Sequence, residues 1–109
     1  MDIIIEDRKL RKICEDDKIA KKEYGDVASK KLKTRLADLR AALTVRDLVA
    51  GSPHPLKGNR AGQFALTVYG GLRLVFEPAH ESPPKHSYGG IDWSRVTRVR
   101  IVFIGDYHD

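Results

Sequence analysis

The period of the hydrophobic pattern changes to two near residue 63, and this change constrains the fold more than any other feature of the chain. Apolar residues alternate from Phe64 to Tyr69 and again from Leu72 to Phe76, on either side of the dipeptide Gly70-Gly71. Two such runs joined by a pair of glycines predict a β-hairpin with a two-residue turn, across which Val68 would face Arg73. Both hairpin faces carry apolar residues, so we expect it in the interior of a sheet.

A further strand is predicted from Val96 to Ile104, where apolar residues alternate with arginines. The alternation assigns its side chains to two faces, Val99, Ile101 and Phe103 to one and Arg98 and Arg100 to the other. Another short strand is predicted at residues 2–6, which contain three consecutive β-branched isoleucines. The hairpin and the last strand follow one another in the chain, which predicts a three-stranded antiparallel meander.

Two helices are predicted between the first strand and the hairpin. A short one covers about residues 7–16, and a longer one, capped by Asp26, runs to about residue 43. The longer helix has one apolar stripe, formed by Val27, Ala28, Leu32, Leu36, Leu39 and Leu43. The polar residues 18–25 end in a glycine and indicate a turn. The order of elements predicts an α+β fold, with the helices on one face of a small, mainly antiparallel sheet.

Composition favours one small, basic, intracellular domain over residues 1–109. The net charge is +5 and the pI is near 9.5, which suits an acidic partner such as nucleic acid. No apolar run is long enough to span a membrane, the start lacks the pattern of a signal peptide, and Cys14 is the only cysteine. These features favour the cytoplasm. The Pro- and Gly-rich connection at about 78–94 is expected to be flexible.

The segment from His54 to Arg60, His-Pro-Leu-Lys-Gly-Asn-Arg, combines an imidazole with two cations just before the hairpin. Lys57 and Arg60 suit phosphate binding, and His54 suits proton transfer near neutral pH. A generic basic turn is the alternative. Arg73 emerges from an otherwise apolar strand and needs a carboxylate, a carbonyl or an anion as partner, unless its side chain extends to water.

The tail Asp106-Tyr107-His108-Asp109 follows the last strand directly. The ring of Tyr107 could stack on an unpaired base, His108 could exchange protons near neutral pH, and Asp106 could orient or balance it. Taken alone, a solvent-exposed end with Tyr107 packed on the core is the simpler interpretation. A zinc site formed by His54, Asp106 and His108 is a further alternative, but the spacing of these ligands is not typical of one.

Four segments in order resemble the HigB-type toxins, the killer-protein branch of the RelE/ParE superfamily of bacterial toxin–antitoxin systems. The segments are residues 54–60, 62–68, 72–76 and 106–108, while the N-terminal half is similar only in layout. The resemblance implies a RelE-like fold and an mRNA endonuclease that needs no metal or other cofactor and acts on messages in the ribosomal A site. It also implies a HigA-like helix-turn-helix antitoxin and a toxin–antitoxin hetero-oligomer.

The resemblance also implies roles for individual residues. His54 and His108 would share the general-base and general-acid work, Asp106 would tune them, and Tyr107 would stack on or orient a nucleotide. Lys57, Arg60 and Arg73 would bind phosphate and stabilise the transition state. The alternative is a non-enzymatic module, either a basic ribosome-binding domain or a ParE-like inhibitor of a protein such as gyrase.

Overall fold

The hairpin lies inside a five-stranded sheet in the computed structural model, which describes residues 1–107 and leaves His108 and Asp109 outside the described residues. The strands are β1 (Asp2–Ile4), β2 (His54–Pro55), β3 (Phe64–Tyr69), β4 (Leu72–Pro78) and β5 (Arg98–Gly105). Their order in the sheet is β1-β5-β4-β3-β2, with β1 parallel to β5 and every other pair antiparallel. The predicted α+β fold and its C-terminal meander are confirmed.

Three helices precede the hairpin rather than two. They are α1 (Arg8–Glu15), α2 (Asp17–Tyr24) and α3 (Asp26–Ala41). The turn predicted at residues 18–25 was wrong, because the carboxylate of Asp16 accepts hydrogen bonds from the amides of Lys18 and Ile19 and caps a new helix. The polar sequence conceals this helix, since Ala20 is its single buried residue and the helix packs against α1 and α3.

The helices cover one face of the sheet and bury a single core. The predicted stripe of α3 supplies Leu32, Leu36 and Leu39, which are almost fully buried together with Leu66 and Phe76 of the hairpin. Burial of each such side chain stabilises the fold by about 1.5–3 kcal/mol. Among the described residues, no helix is both long and apolar enough to cross a membrane.

Two irregularities in strand pairing change the predicted faces. Between β3 and β4 the register shifts at Val68, so Arg73 pairs with Thr67 and not with Val68. Between β4 and β5 the partners pass from Phe76–Ile101 to Val75–Phe103, which leaves Val102 as an extra residue in β5. The prediction that Phe103 shares a face with Val99 and Ile101 was therefore wrong.

The sheet face away from the helices is called the open face here. Pairing and alternation place on it Ala65, Thr67, Arg73, Val75 and Phe103, whereas Leu66, Leu74 and Ile104 belong to the core. Ala65 and Val75 are nevertheless fully buried, so other groups cover the centre of this face. The centre of the open face is thus apolar, and polar groups surround it.

The long connection between β4 and β5 is anchored at its C-terminal end. Trp93 is buried there, and its ring centroid lies 4.9 Å from that of Phe64 in β3. A carboxylate oxygen of Asp92 accepts a hydrogen bond from Arg95 at 2.9 Å, and Arg95 donates another to the carbonyl of Lys85 at 2.8 Å. The flexibility expected for residues 78–94 stays a prediction.

Replacing Asp92 by Asn should destabilise the protein at neutral pH but change little near pH 2. Hydrogen bonds from Ser94 and then Arg95 lower the pKa of the Asp92 carboxyl from 3.8 to about 2. The folded state therefore holds fewer protons than the unfolded state between these values, and the stabilisation, complete above about pH 4, is lost as the pH falls through 2. Urea unfolding at both pH values measures the difference.

The control is Glu81→Gln, because Glu81 is an exposed acid in the same connection. It should have nearly the same free energy of unfolding as the wild type at both pH values. An Asp92→Asn deficit of equal size at neutral and acid pH would contradict the assignment.

Candidate active site

The turn of the hairpin and the beginning of the tail meet at one end of the open face. Arg73 pairs with Gly105, and its guanidinium donates a hydrogen bond to the carbonyl of Gly70 at 2.7 Å. The carboxylate of Asp106 lies directly against Gly71, so closely that a β-carbon at that position would overlap it. The structure thus brings Arg73 and Asp106 to the same turn.

Arg60 is held over the middle of the open face by two aromatic rings. Its guanidinium carbon lies 4.4 Å from the ring centroid of Phe103 and 5.2 Å from that of Tyr107. The two rings contact each other edge to face, with centroids 6.3 Å apart, and Arg60 also donates a hydrogen bond to Gln63 at 3.1 Å. Cation–π contacts orient a guanidinium without neutralising it, so its charge stays available to an anion.

Phe103 is a site residue that the sequence analysis missed. The alternation placed it in the core, but the extra residue Val102 turns it onto the open face, where it supports both Arg60 and Tyr107. An aromatic residue within a run of aliphatic ones, three positions before the tail, was the only available signal.

His54 lies on the opposite edge of the same face. His54 pairs with Ala65 in β3, Ala65 pairs with Val75 in β4, and Val75 pairs with Phe103 in β5. Three inter-strand spacings therefore separate His54 from Phe103, which corresponds to about 14 Å between their α-carbons. The exposed imidazole contacts the carbonyl of Ser52 through Nδ1 at 2.8 Å. This contact orients the ring and leaves Nε2 directed elsewhere.

Lys57 stands between His54 and Arg60, and its side chain is exposed. A 3₁₀ turn at Gly58–Arg60 follows it, with Gly58 at φ +60°, so the chain bends between the two cations. His108, the remaining predicted site residue, lies outside the described residues. The structure therefore places Arg60, Arg73, Asp106, Tyr107 and His54 around one face, with His54 at its far edge, and leaves Lys57 exposed in the loop between His54 and Arg60.

Helix α2 supports the start of the tail. The hydroxyl of Tyr24 donates a hydrogen bond to the carbonyl of Ile104 at 3.4 Å, two residues before Asp106. Burial raises the pKa of Tyr24 to about 12, so the hydroxyl remains a donor throughout the physiological range. Because α2 was not predicted, this contact was not foreseen.

At the other end of the open face, two carboxylates compensate the charge of Arg100. Arg100 donates hydrogen bonds to the carboxylates of Glu6 at 2.7 Å and Glu77 at 2.9 Å. The hydrogen bond to Glu6 is the main reason that the pKa of Arg100 is raised. This arginine therefore joins β5 to β4 and to the residues after β1, and its charge is compensated, unlike that of Arg60.

Within residues 1–107, no group of three or more His, Cys, Asp or Glu side chains is arranged to hold a metal ion. The zinc alternative combined His54 and Asp106 with His108. Of these, His54 lies on β2 at one edge of the sheet, whereas Asp106 contacts the turn between β3 and β4.

No protein-family model matches the sequence, and no curated protein matches it. Solved structures do share its fold. The YoeB/ParE toxin from Agrobacterium tumefaciens has a TM-score of 0.61 at 12% identity, over 99% of this chain and 100% of that one. A chain of the YoeB-YefM complex from Staphylococcus aureus has a TM-score of 0.58 at 17% identity, over 100% and 98%.

The YoeB dimer from Staphylococcus aureus gives a TM-score of 0.54 at 19% identity, over 100% of this chain and 98% of that one. The chain therefore has the fold of these toxins along its whole length. At such identities the likeness establishes the fold, which agrees with the RelE-like fold expected above. It does not single out the HigB type.

The contact between Arg60 and Phe103 should be measurable as a coupling energy. We expect the double-mutant cycle of Arg60→Met and Phe103→Leu to give a coupling of about 0.5–2 kcal/mol in the free energy of unfolding, because the guanidinium lies over the ring. The matched control is the cycle of Arg73→Met with Phe103→Leu, since Arg73 is bound to a carbonyl of the turn. Equal couplings in the two cycles would contradict the proposed contact.

Proposed function

We propose that this chain is the toxin of a type II toxin–antitoxin system and that it inhibits translation by cutting mRNA on the ribosome. One observation carries the proposal: Arg60, Arg73, Asp106 and Tyr107 gather on the helix-free face of a sheet whose fold is shared with YoeB-type toxins. Cations, an acid and an aromatic ring around one shallow face match the needs of a bound RNA strand.

The proposed reaction is an attack of the RNA 2′-hydroxyl on the adjacent phosphorus. A general base takes the proton of the hydroxyl, the 2′-oxygen–phosphorus bond forms, and the bond from phosphorus to the 5′-oxygen breaks. A general acid gives a proton to the leaving 5′-oxygen. The products are a 2′,3′-cyclic phosphate and a 5′-hydroxyl, so the step requires only the substrate and two proton-transfer groups.

The residues of the open face suit the parts of this reaction. Arg60 and Arg73 would stabilise the extra negative charge of the pentacoordinate phosphorus, because both are oriented before substrate arrives. Lys57 would bind a neighbouring phosphate. Tyr107 would stack on or orient a nucleotide at the cleavage site, and the guanidinium of Arg60 lies against the ring of Tyr107.

Proton transfer is assigned to His54 and His108, with Asp106 tuning or supplementing them. The RNA would cross the open face from the edge strand β2, where His54 stands, towards the tail. The exposed imidazole of His54 is accessible there, and its Nδ1 contact with Ser52 limits its rotation. His108 follows Tyr107 directly in the chain.

The proposal includes a partner and a compartment. A small antitoxin would neutralise the toxin in a hetero-oligomer, by analogy with the heterotetrameric YoeB-YefM toxin-antitoxin complex from Staphylococcus aureus. The sequence favours a HigB-type toxin with a HigA-like helix-turn-helix partner, mainly through the segments at 54–76 and 99–108. The action on ribosome-bound mRNA would take place in the cytoplasm.

Expression of the chain without antitoxin should arrest growth and generate new 5′ ends in mRNA. His54→Ala and His108→Ala should each lower the cleavage rate about a hundred- to ten-thousandfold, because each removes a proton-transfer group. Primer extension after induction measures the cleavage. His80→Ala is the control, because His80 lies in the long connection between β4 and β5. There its imidazole accepts a hydrogen bond from the amide of Thr97. Full cleavage by both histidine variants would refute the catalytic assignment.

Ending the chain after Ile104 should abolish cleavage and leave the fold largely intact. The truncation removes Asp106, Tyr107 and His108 but keeps Ile104, whose side chain belongs to the core. Circular dichroism and urea unfolding would show whether the shortened chain folds, and primer extension would show whether it cuts. A folded, truncated protein that still cleaves mRNA would contradict a catalytic role for the tail.

The second candidate is a ParE-like inhibitor of a protein target. It is favoured by the name of the Agrobacterium protein, which is called a YoeB/ParE toxin and shares this fold. Growth arrest without new 5′ ends in mRNA would support this candidate over the nuclease.

A further inference from the structure

The connection between β4 and β5 carries an aromatic pair that the proposed cleavage mechanism does not use. The rings of His86 and Tyr88 stack with their centroids 4.8 Å apart and an angle of 8° between their planes. Tyr88 is 82% exposed, so its outer face is open to solvent while its inner face rests on the imidazole. This pair is called the His86–Tyr88 shelf here.

The shelf is held by a hairpin-like backbone. Lys85 and Ile91 form an antiparallel bridge, the amide of His86 donates to the carbonyl of Gly90, and the amide of Gly89 donates back to His86, both at 3.0 Å. Gly89 and Gly90 have φ of +88° and +75°, which few other residues adopt at low cost. The ring pair is therefore formed before any ligand arrives, which lowers the entropic cost of binding.

The shelf is attached to the part of the chain that carries the cations of the site. The side chain of Ile91 lies against Gly62, where a β-carbon would be 3.8 Å from its Cδ1. Trp93, two residues further on, stacks obliquely on Phe64. Gly62 follows Arg60 by two residues, so the base of the hairpin that carries the shelf, where Ile91 pairs with Lys85, borders the loop of Lys57 and Arg60.

One exposed cation and one hydrogen-bonded acid lie beside the shelf. Lys85 is exposed at its base. Asp92, four residues after Tyr88, accepts hydrogen bonds from Ser94 and Arg95 and lies 3.9 Å from Nδ1 of His86. The other acid of this connection, Glu81, is exposed and lies four residues before Lys85.

We propose that the His86–Tyr88 shelf is a second RNA subsite, which stacks one unpaired base on Tyr88 while Lys85 contacts the neighbouring phosphate. This inference rests on the proposed function, and it adds a nucleotide outside the cleavage position. A flat, preformed aromatic surface with an adjacent cation, next to a phosphate-binding loop, matches single-stranded RNA. A single exposed tyrosine is common on protein surfaces. Tyr88 differs from such a residue because its ring stacks on His86 and because the hairpin that carries both rings contacts Gly62, close to Arg60.

The test is binding of a short fluorescent 2′-O-methyl RNA to the full-length protein, measured by anisotropy. This probe has no free 2′-hydroxyl, so it reports binding without cleavage. Tyr88→Ala should weaken binding about fivefold to a hundredfold, and Tyr88→Phe should bind like the wild type, because the ring and not the hydroxyl carries the contact. Tyr69→Ala is the matched control, because it removes another exposed tyrosine, one that does not belong to the shelf. Tyr69 lies at the end of β3 and pairs with Leu72, which packs on the core.

A second measurement assigns the contact to a base. Oligonucleotides that lack the base at one position in turn are bound to wild type and to Tyr88→Ala. At one position, loss of the base should weaken the wild type but leave Tyr88→Ala unchanged, because the stacking partner is already absent. At the other positions the two proteins should lose affinity equally.

Two outcomes would overturn the shelf proposal, unchanged RNA affinity in Tyr88→Ala and equal losses at every abasic position. If RNA affinity is unchanged and binding of the antitoxin is weaker, the shelf is a protein contact. Failure of the proposed function is distinguishable from these. A protein that binds the probe through Tyr88 but yields no new 5′ ends in cells would refute the nuclease and keep the subsite.

Discussion

The candidate site depends on one extra residue in β5. Between Phe76–Ile101 and Val75–Phe103 the pairing admits Val102 without a partner, and from there each side chain changes face. Ile104 consequently enters the core, and Phe103 enters the open face, where it holds Arg60 and touches Tyr107. Bulges redirect side chains in this way near functional sites of many sheets. A regular strand would have buried Phe103 and left Arg60 without its support.

The hydrophobic pattern was sufficient for the elements with strong periodicity. The stripe of α3 and the alternation around Gly70-Gly71 predicted a helix and a hairpin that the structure contains, and with them the α+β fold. Helix α2 was missed because its stability comes from a cap at Asp16 and from contacts with α3 rather than from an apolar stripe. The register shifts at Val68 and Val102 were missed because alternation assumes an uninterrupted ladder.

For the site, the types of residue were predictable and their electrostatic states were not. Arg60, Arg73, Asp106 and Tyr107 do lie on one face, but the strand predicted from Val96 to Ile104 gave no sign of acidic partners for its arginines. Arg100 is paired with Glu6 and Glu77, which lie far away in the sequence. Local composition cannot show such pairing, since it is created by strand order: β5 lies between β1 and β4.

The shortness of β2 also affects how the protein behaves in a crowded solution. An exposed sheet edge offers unpaired amides and carbonyls to the strands of other molecules, and a long edge promotes aggregation. At this edge only His54 and Pro55 pair with β3, and proline has no amide hydrogen to offer. The dipeptide that presents an imidazole beside the open face therefore also prevents the sheet from growing at that side.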